Sequence, residues 1–365
     1  MRSGPRVLVF PAYRDNPFLN LLQLAGTAAG YRIEGANTYD DLMRAARTLN
    51  RGDVVHLHWT TPILQQAQTR AAAERRLRAV RRLLERMREH GVRLLWTVHN
   101  RLPHELTFRE LEIELMGEVA SHADLIHIMA PHTPAALADI VRLDPEKVRI
   151  LPHPSYEGVY DTGLGPDAAR ASFSLAPRDL AVLFLGQIRP YKGVDALVGA
   201  AAEAAARRDD RAVRLLVAGA VKEMSREDFA ATIPAGLAAA THLDFVPDGD
   251  IARWFAAADV AVFPYRAILN SGSVHLAATF RVPVVLPADP HLERQFADEP
   301  WVAFFDPARP AESLADLLAD PALFAGVTAE SFDAFLAPIS PWETSRRYAA
   351  LLAELTAESP RALSA

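Results

Sequence analysis

The sequence predicts an α/β protein built from two Rossmann-like domains, and three observations carry that expectation. Apolar runs of strand length alternate with helical patterns from residue 6 onward, the signature of parallel layered sheets. Both halves open in the same order of strand, polar loop and helix: RVLVFPAYRDNP at 6–17 and AVLFLGQIRPYKG at 181–193. The 365 residues also exceed what one ordinary core accommodates.

Composition narrows the function. Hydrophobic content of 50% and charged content of 23% fit a folded globular chain and exclude a disordered one. A formal net charge of −6 argues against generic nucleic-acid binding, and the absence of cysteine excludes disulfides, thiolate catalysis and cysteine-based metal sites. The opening MRSGPRVLVF has too short an apolar run for a signal peptide, and no 18-residue apolar span follows, so a cytoplasmic location is expected.

The elements follow in order. Residues 6–10 read as the first strand. The loop PAYRDNPF leads into a helix striped by Leu19, Leu22, Leu24 and Ala28 and ended by Gly30. That loop sits at a strand's carboxyl end, where open α/β sheets bind ligands, so Asp15 and Asn16 are either ligand contacts or helix caps. Residues 53–57 form the next strand and run into His58, Trp59 and Thr60. His56 and His58 share a face by the period of two. A metal site would need a third ligand that the spacing does not supply, so the two read as hydrogen-bonded histidines.

Residues 65–90 read as one helix with the apolar stripe Leu77, Val80, Leu83, Leu84 and Met87. Arg70, Arg75, Arg76, Arg78, Arg81, Arg82, Arg86 and Arg88 lie on its other faces against Glu74, Glu85 and Glu89. Such a helix is either a solvated face or a peripheral contact with anionic lipid at the inner face of a membrane. Strands at 92–98, 124–129 and 148–151 complete the first sheet, and TVHNRLPHE at 97–105 leaves the first of them. The Pro- and Gly-rich stretch 152–169 is the linker. The expected domains are 1–158, 159–338 and a terminal helical segment 339–365.

In the second half, strands are expected at 182–185, 213–217, 242–246, 260–263 and 284–286, with a helix striped by Ile251, Trp254, Phe255 and Ala258. A last helix at 341–355 would bury Trp342, Tyr348, Leu351 and Leu352. The stretch VLFLGQIRPYKGVD at 182–195 reads as a strand, a turn carrying Arg189 and Lys192, and a helix start. Free amides and the positive dipole end favour an anion there, and the two cations neutralise charge that amides alone cannot. A second stretch, 263–285, repeats the grammar with Asn270, Ser271, Gly272 and Ser273 able to cap a helix and donate to an oxyanion. Two such donors on one sheet suit a diphosphate.

GQIRPYKGVD (186–195), LLVAG (215–219), AADVAVFPYR (257–266), NSG (270–272) and RVPVV (281–285) together resemble the GT-B glycosyltransferases, specifically the family 4-like retaining group. The resemblance implies two domains facing across a cleft and transfer of a sugar from a UDP- or GDP-sugar co-substrate, without a metal or other cofactor. A saccharide or lipid-linked acceptor completes the reaction. It implies that His99 approaches the donor sugar beside Arg189 and Lys192 as catalytic groups. Gly186, Val246, Arg266, Asn270, Ser271, Gly272 and Ser273 would contact the donor, and Asp15, Asn16, His104 and Glu105 the acceptor. The last helix would cross back onto the first domain, and Trp59 could stack on a sugar.

The chain departs from the commonest pattern in two places. Gln187 follows the glycine where an arginine is usual, and Ile268 and Leu276 occupy the places of two glutamates eight positions apart. Exopolysaccharide- and glycolipid-type transferases with NSG in this loop share that departure. Retention and inversion both stay open, inversion requiring Asp15, Glu105 or a histidine as base. An epimerase on the same fold, or an inactive nucleotide-sugar-binding protein, are the alternatives.

Overall fold

The structure, a computed structural model, describes residues 4–267 and 269–357; Ile268, the leading 1–3 and the segment 358–365 lie outside the described residues. The chain divides into two compact units, one formed by residues up to Pro154 together with those from Pro341 onward, the other by Ser155–Ser340.

In the first unit, β1 (Arg6–Phe10), β2 (Arg32–Gly35), β3 (Val54–Leu57), β4 (Arg93–Val98), β5 (Leu125–Ile128) and β6 (Val148–Ile150) form one sheet. Its order is β2-β1-β3-β4-β5-β6, and every pairing is parallel. In the second unit, β7 (Leu180–Leu185), β8 (Val213–Ala218), β9 (Ala239–His242), β10 (Val260–Val262), β11 (Val284–Pro287) and β12 (Val302–Phe305) form an equally parallel sheet ordered β12-β11-β10-β7-β8-β9. Central strands such as LAVLFL are buried along their whole length because helices cover both faces, and an uninterrupted apolar run is the sequence consequence. The chain turns back across its first strand in both sheets, so the strand order reverses between β1 and β3 and between β7 and β10. In open α/β sheets that reversal leaves a crevice at the strands' carboxyl ends.

Several boundaries differ from the sequence expectation for local reasons. The strand expected at 242–246 lies at Ala239–His242 instead, since Asp244 accepts from the Phe245 amide (2.8 Å) and His242 donates to the Phe245 carbonyl (3.0 Å), turning the chain off the sheet. β2 reads RIEG, an edge strand too polar to register as an apolar run. The helix expected at 65–90 spans Arg70–His90, capped by the Thr69 hydroxyl on the Ala72 amide and ended by left-handed Gly91 (φ 71°); a short helix, Thr61–Leu64, precedes it. Leu24 and Trp342, expected in apolar stripes, are 48% and 59% exposed.

The final helix, Pro341–Thr356, belongs to the first unit and packs on the helix Pro17–Ala28. Gly26 faces this contact, where an added Cβ would lie 3.4 Å from Leu352, at ordinary van der Waals distance. Ser345 accepts from the Ala25 amide (2.6 Å) and donates to the Leu22 carbonyl (3.0 Å), so this buried hydroxyl is satisfied on both sides.

Candidate functional site

The loops after β7 and β10 leave the same carboxyl edge at the switch point of the second sheet, and close contacts join them. Gly193, left-handed at φ 68°, lets the turn lie on the Pro264 carbonyl; a Cβ there would come within 2.0 Å of that oxygen. The Arg266 amide donates to the Tyr191 carbonyl (2.9 Å), while its guanidinium reaches the Pro190 carbonyl (2.7 Å) and Asp195 (2.5 Å). Arg266 thus staples one loop to the other.

The two expected cations differ in their surroundings. Arg189 has a side chain only 10% exposed, ion-paired with Glu223 (3.0 Å) and bonded to Gln187 (3.1 Å). Lys192 makes no ion pair among the described residues; its ammonium lies 4.0 Å from the Tyr265 ring centre and 5.4 Å from that of Tyr191. Aromatic faces attract a cation without cancelling its charge, so Lys192 keeps its full charge for an anion. Gly186 (φ 150°) is pressed against Gly219 (φ 149°), where a Cβ would stand 1.9 Å from the Gly186 carbonyl oxygen.

Ser271 caps the helix Gly272–Thr279, its hydroxyl accepting from the Val274 amide at 3.4 Å, and buried His275 donates to the Ser271 carbonyl (2.9 Å). Asn270 precedes this cap, and the amides of Gly272 and Ser273 belong to the first turn, which has no intrahelical acceptors. On the β9 loop, Val246 is packed in the core, leaving only its backbone to meet a ligand, whereas the neighbouring Phe245 is 68% exposed.

In the first unit, the loops after β1, β3 and β4 meet. The Tyr13 and Trp59 rings lie 5.7 Å apart, Trp59 stacks on His99 at 4.0 Å, and Phe18 meets His99 edge-on at 5.2 Å. A cavity of about 30 Å³ is lined by His58, Trp59, Thr60, His99 and Asn100 among others. Asp15 is exposed, and Asn16 stands at the helix start without a side-chain cap bond. Exposed His104 accepts from Asn100 (3.2 Å), and Glu105 is exposed beside it. Among the described residues no group of three or more His, Cys, Asp or Glu could hold a metal ion.

Two groups of buried polar residues go beyond the sequence reading, which had His56 as a hydrogen-bonded histidine but named none of its partners. Glu112, fully buried, accepts from the Thr60 hydroxyl and from Gln65 (2.5 Å), and Gln65 in turn accepts from the amides of Thr107 (2.8 Å) and Phe108 (3.0 Å). This bridge ties the β3 loop to the β4 loop. Burial pushes the Glu112 carboxyl above its ordinary range, opposed by the two donors. The second group is a chain of hydrogen bonds whose sense is dictated by its end. The Leu151 carbonyl can only accept, so His127 donates to it through Nε2 (2.8 Å) and accepts at Nδ1 from the Thr97 hydroxyl (2.9 Å). Thr97 must then accept from His56 Nε2 (2.7 Å), and His56 Nδ1 accepts from the Tyr348 hydroxyl (2.8 Å). Every member is satisfied with neutral imidazoles.

Burial depresses the pKa of His56, His58 and His127, that of His127 to about 4 from an ordinary 6.5. Below pH 6.5 the unfolded chain takes up protons that the folded chain refuses, so the stabilisation present above 6.5 is lost as pH falls toward about 4. Denaturant midpoints should therefore decline between pH 7 and 5; a flat profile across that window contradicts the chain of bonds. Tyr348→Phe, which orphans His56 Nδ1, should cost about 1–3 kcal/mol at pH 7.5, read from the same curves.

Residues 179–320 match the family model described as Glycosyl transferases group 1. A D-inositol 3-phosphate glycosyltransferase of Rhodococcus opacus is 35% identical over 103 residues, 27% of this chain and 23% of its own. A GDP-mannose:glycolipid 4-beta-D-mannosyltransferase of Xanthomonas campestris pv. campestris is 25% identical over 241 residues, 66% of this chain and 62% of its own. The chain thus spans less than two thirds of the length of these curated relatives. The solved structure of Anabaena HepE in complex with UDP-glucose is similar at a TM-score of 0.68 and 12% identity, covering 96% of this chain and 99% of that one. Residues 179–320 are thus similar to the glycosyl transferases group 1 family, and the chain has the two-domain α/β fold of GT-B glycosyltransferases.

Proposed function

We propose that this protein transfers a glycosyl unit from a nucleoside-diphosphate sugar to a saccharide or lipid-linked acceptor. The observation that carries the reading is Lys192, an ammonium without a carboxylate partner among the described residues, on the switch-point loop stapled to the loop that leads to Ser271. Departure of a nucleoside diphosphate builds negative charge on its bridging oxygen. A fixed cation and helix-end amides stabilise that charge more in the transition state than in the bound donor, which is what acceleration requires. Lys192 opposes the charge from one side, and Ser271, Gly272 and Ser273 donate from the other. Arg189 adds charge if phosphate displaces Glu223. The backbone of Gly186 and Val246 borders the nucleotide, Arg266 holds the loops in register, and the exposed Phe245 offers a ring to the base. This scheme uses the chain's own charges and no metal.

On the first unit, neutral His99 meets a sugar hydroxyl, and Asp15, Asn16, His104 and Glu105 contact the acceptor. UDP- and GDP-linked hexoses are the donors to try, given the mannosyltransferase relative and the UDP-glucose bound by HepE. A lipid-linked acceptor accords with the stripe Arg75, Arg78, Arg82 and Arg86, which lies along one exposed face of the helix Arg70–His90 and makes no ion pair among the described residues. No described helix is long and apolar enough to cross a membrane.

The test measures consumption of UDP- and GDP-sugars with and without lipid extract. Consumption only with acceptor supports transfer. Conversion without acceptor supports an epimerase, and tight binding without turnover an inactive binding protein.

A further inference from the structure

His58 is the one member of the histidine group that the buried chain of bonds does not absorb. It is 2% exposed, its Nδ1 lies 2.9 Å from His99 Nε2, and its Nε2 is buried with no hydrogen-bond partner among the described residues. One proton serves the short bond between the rings, and two arrangements satisfy it. If His99 donates, His58 Nε2 carries a buried N–H with no acceptor. If His58 donates, its Nε2 presents a lone pair. A buried N–H left unpaired is the rarer and costlier case, so the second arrangement is favoured.

We propose that His58 is a positioning residue that fixes the tautomer of His99, donating from Nδ1 to His99 Nε2 and keeping only a lone pair at its own buried Nε2. The proton of neutral His99 is thereby confined to Nδ1, which acts as a hydrogen-bond donor. Stacking on Trp59 and the edge of Phe18 fix the plane of the His99 ring, and His58 fixes which nitrogen carries hydrogen. A catalytic histidine requires both, because a flipped tautomer turns a donor into an acceptor.

The consequence for turnover rests on the reading in which His99 meets a sugar hydroxyl; the tautomer assignment does not. It is tested by long-range ¹⁵N–¹H spectra of the full-length protein labelled at histidine, without donor, with His99 identified through His99→Asn. The expected result is a single Nδ1–H form of His99 in the wild type and in His58→Asn, whose amide nitrogen takes the place of Nδ1. Mixed tautomers are expected in His58→Gln, which reaches the Nε2 place, and in His58→Leu. With donor and acceptor, His58→Leu should lower kcat about 10- to 100-fold with little change in KM, and His58→Asn should recover most of it. A single Nδ1–H form retained in folded His58→Leu and His58→Gln overturns the proposal, as does an Nε2–H form in the wild type. If the spectra behave as expected and no nucleotide sugar is ever turned over, the positioning role stands and the transferase reading falls.

Discussion

Lys192→Ala is expected to lower turnover about 100-fold or more, equivalent to roughly 3 kcal/mol of transition-state stabilisation. The size follows from how the ammonium is held. Tyr265 and Tyr191 fix it in place, and no carboxylate among the described residues neutralises it, so its whole charge is available to the departing diphosphate. Arg189, with Glu223 and Gln187 already bound to it, cannot substitute without first breaking that ion pair. The loss should appear mainly in kcat, because the charge opposed by Lys192 grows as the glycosidic bond breaks. A near-normal rate in properly folded Lys192→Ala protein removes the residue from that role.

Gly193→Ala is expected to be comparably damaging by a steric route. The residue is left-handed at φ 68°, and a Cβ would stand 2.0 Å from the Pro264 carbonyl oxygen and 3.1 Å from its carbon. The obstacle is backbone, so relief requires the two loops to separate. That movement would withdraw Lys192 from Tyr265 and break the staple from Arg266 to Pro190 and Tyr191. We expect about 3 kcal/mol of lost stability and a fall in kcat/KM of about 100-fold or more. Gly165→Ala is the control, since Gly165 is not left-handed and an added Cβ meets nothing within 4 Å. Equal behaviour of the two variants would show that the close approach of the loops is not needed.

The carboxyl edge of the second sheet was legible where strand, turn and helix are adjacent in the chain: Arg189 and Lys192 lie just after β7, and Ser271 caps the next helix after β10. That β7 and β10 are neighbours rests on pairing between segments some 75 residues apart, which the sheet order supplies. Apolar length also located the central strands. It could not find β2, whose RIEG is polar because the strand lies at an edge, and it misplaced β9, where side-chain bonds to Phe245 turn the chain away. The buried residues were harder to read. His56, Thr97, His127 and Tyr348 lie on three strands and the final helix, and Glu112 sits in what reads as an ordinary acidic first turn of the helix Arg109–His122. The signal available was His56, Thr97 and His127, each an isolated polar residue inside an apolar strand, where burial demands partners. Helix stripes failed at Leu24 and Trp342 because each was grouped by hydrophobicity without its angular position on the helix.

The central claim is that a nucleoside diphosphate binds across the switch-point loops of the second unit. A crystal structure with UDP or GDP at saturating concentration tests it most directly. The account predicts diphosphate density within hydrogen-bond reach of Lys192 Nζ and of the Ser271–Ser273 amides or hydroxyls. Density at another edge of the sheet, or an empty edge while binding in solution is saturated, contradicts it.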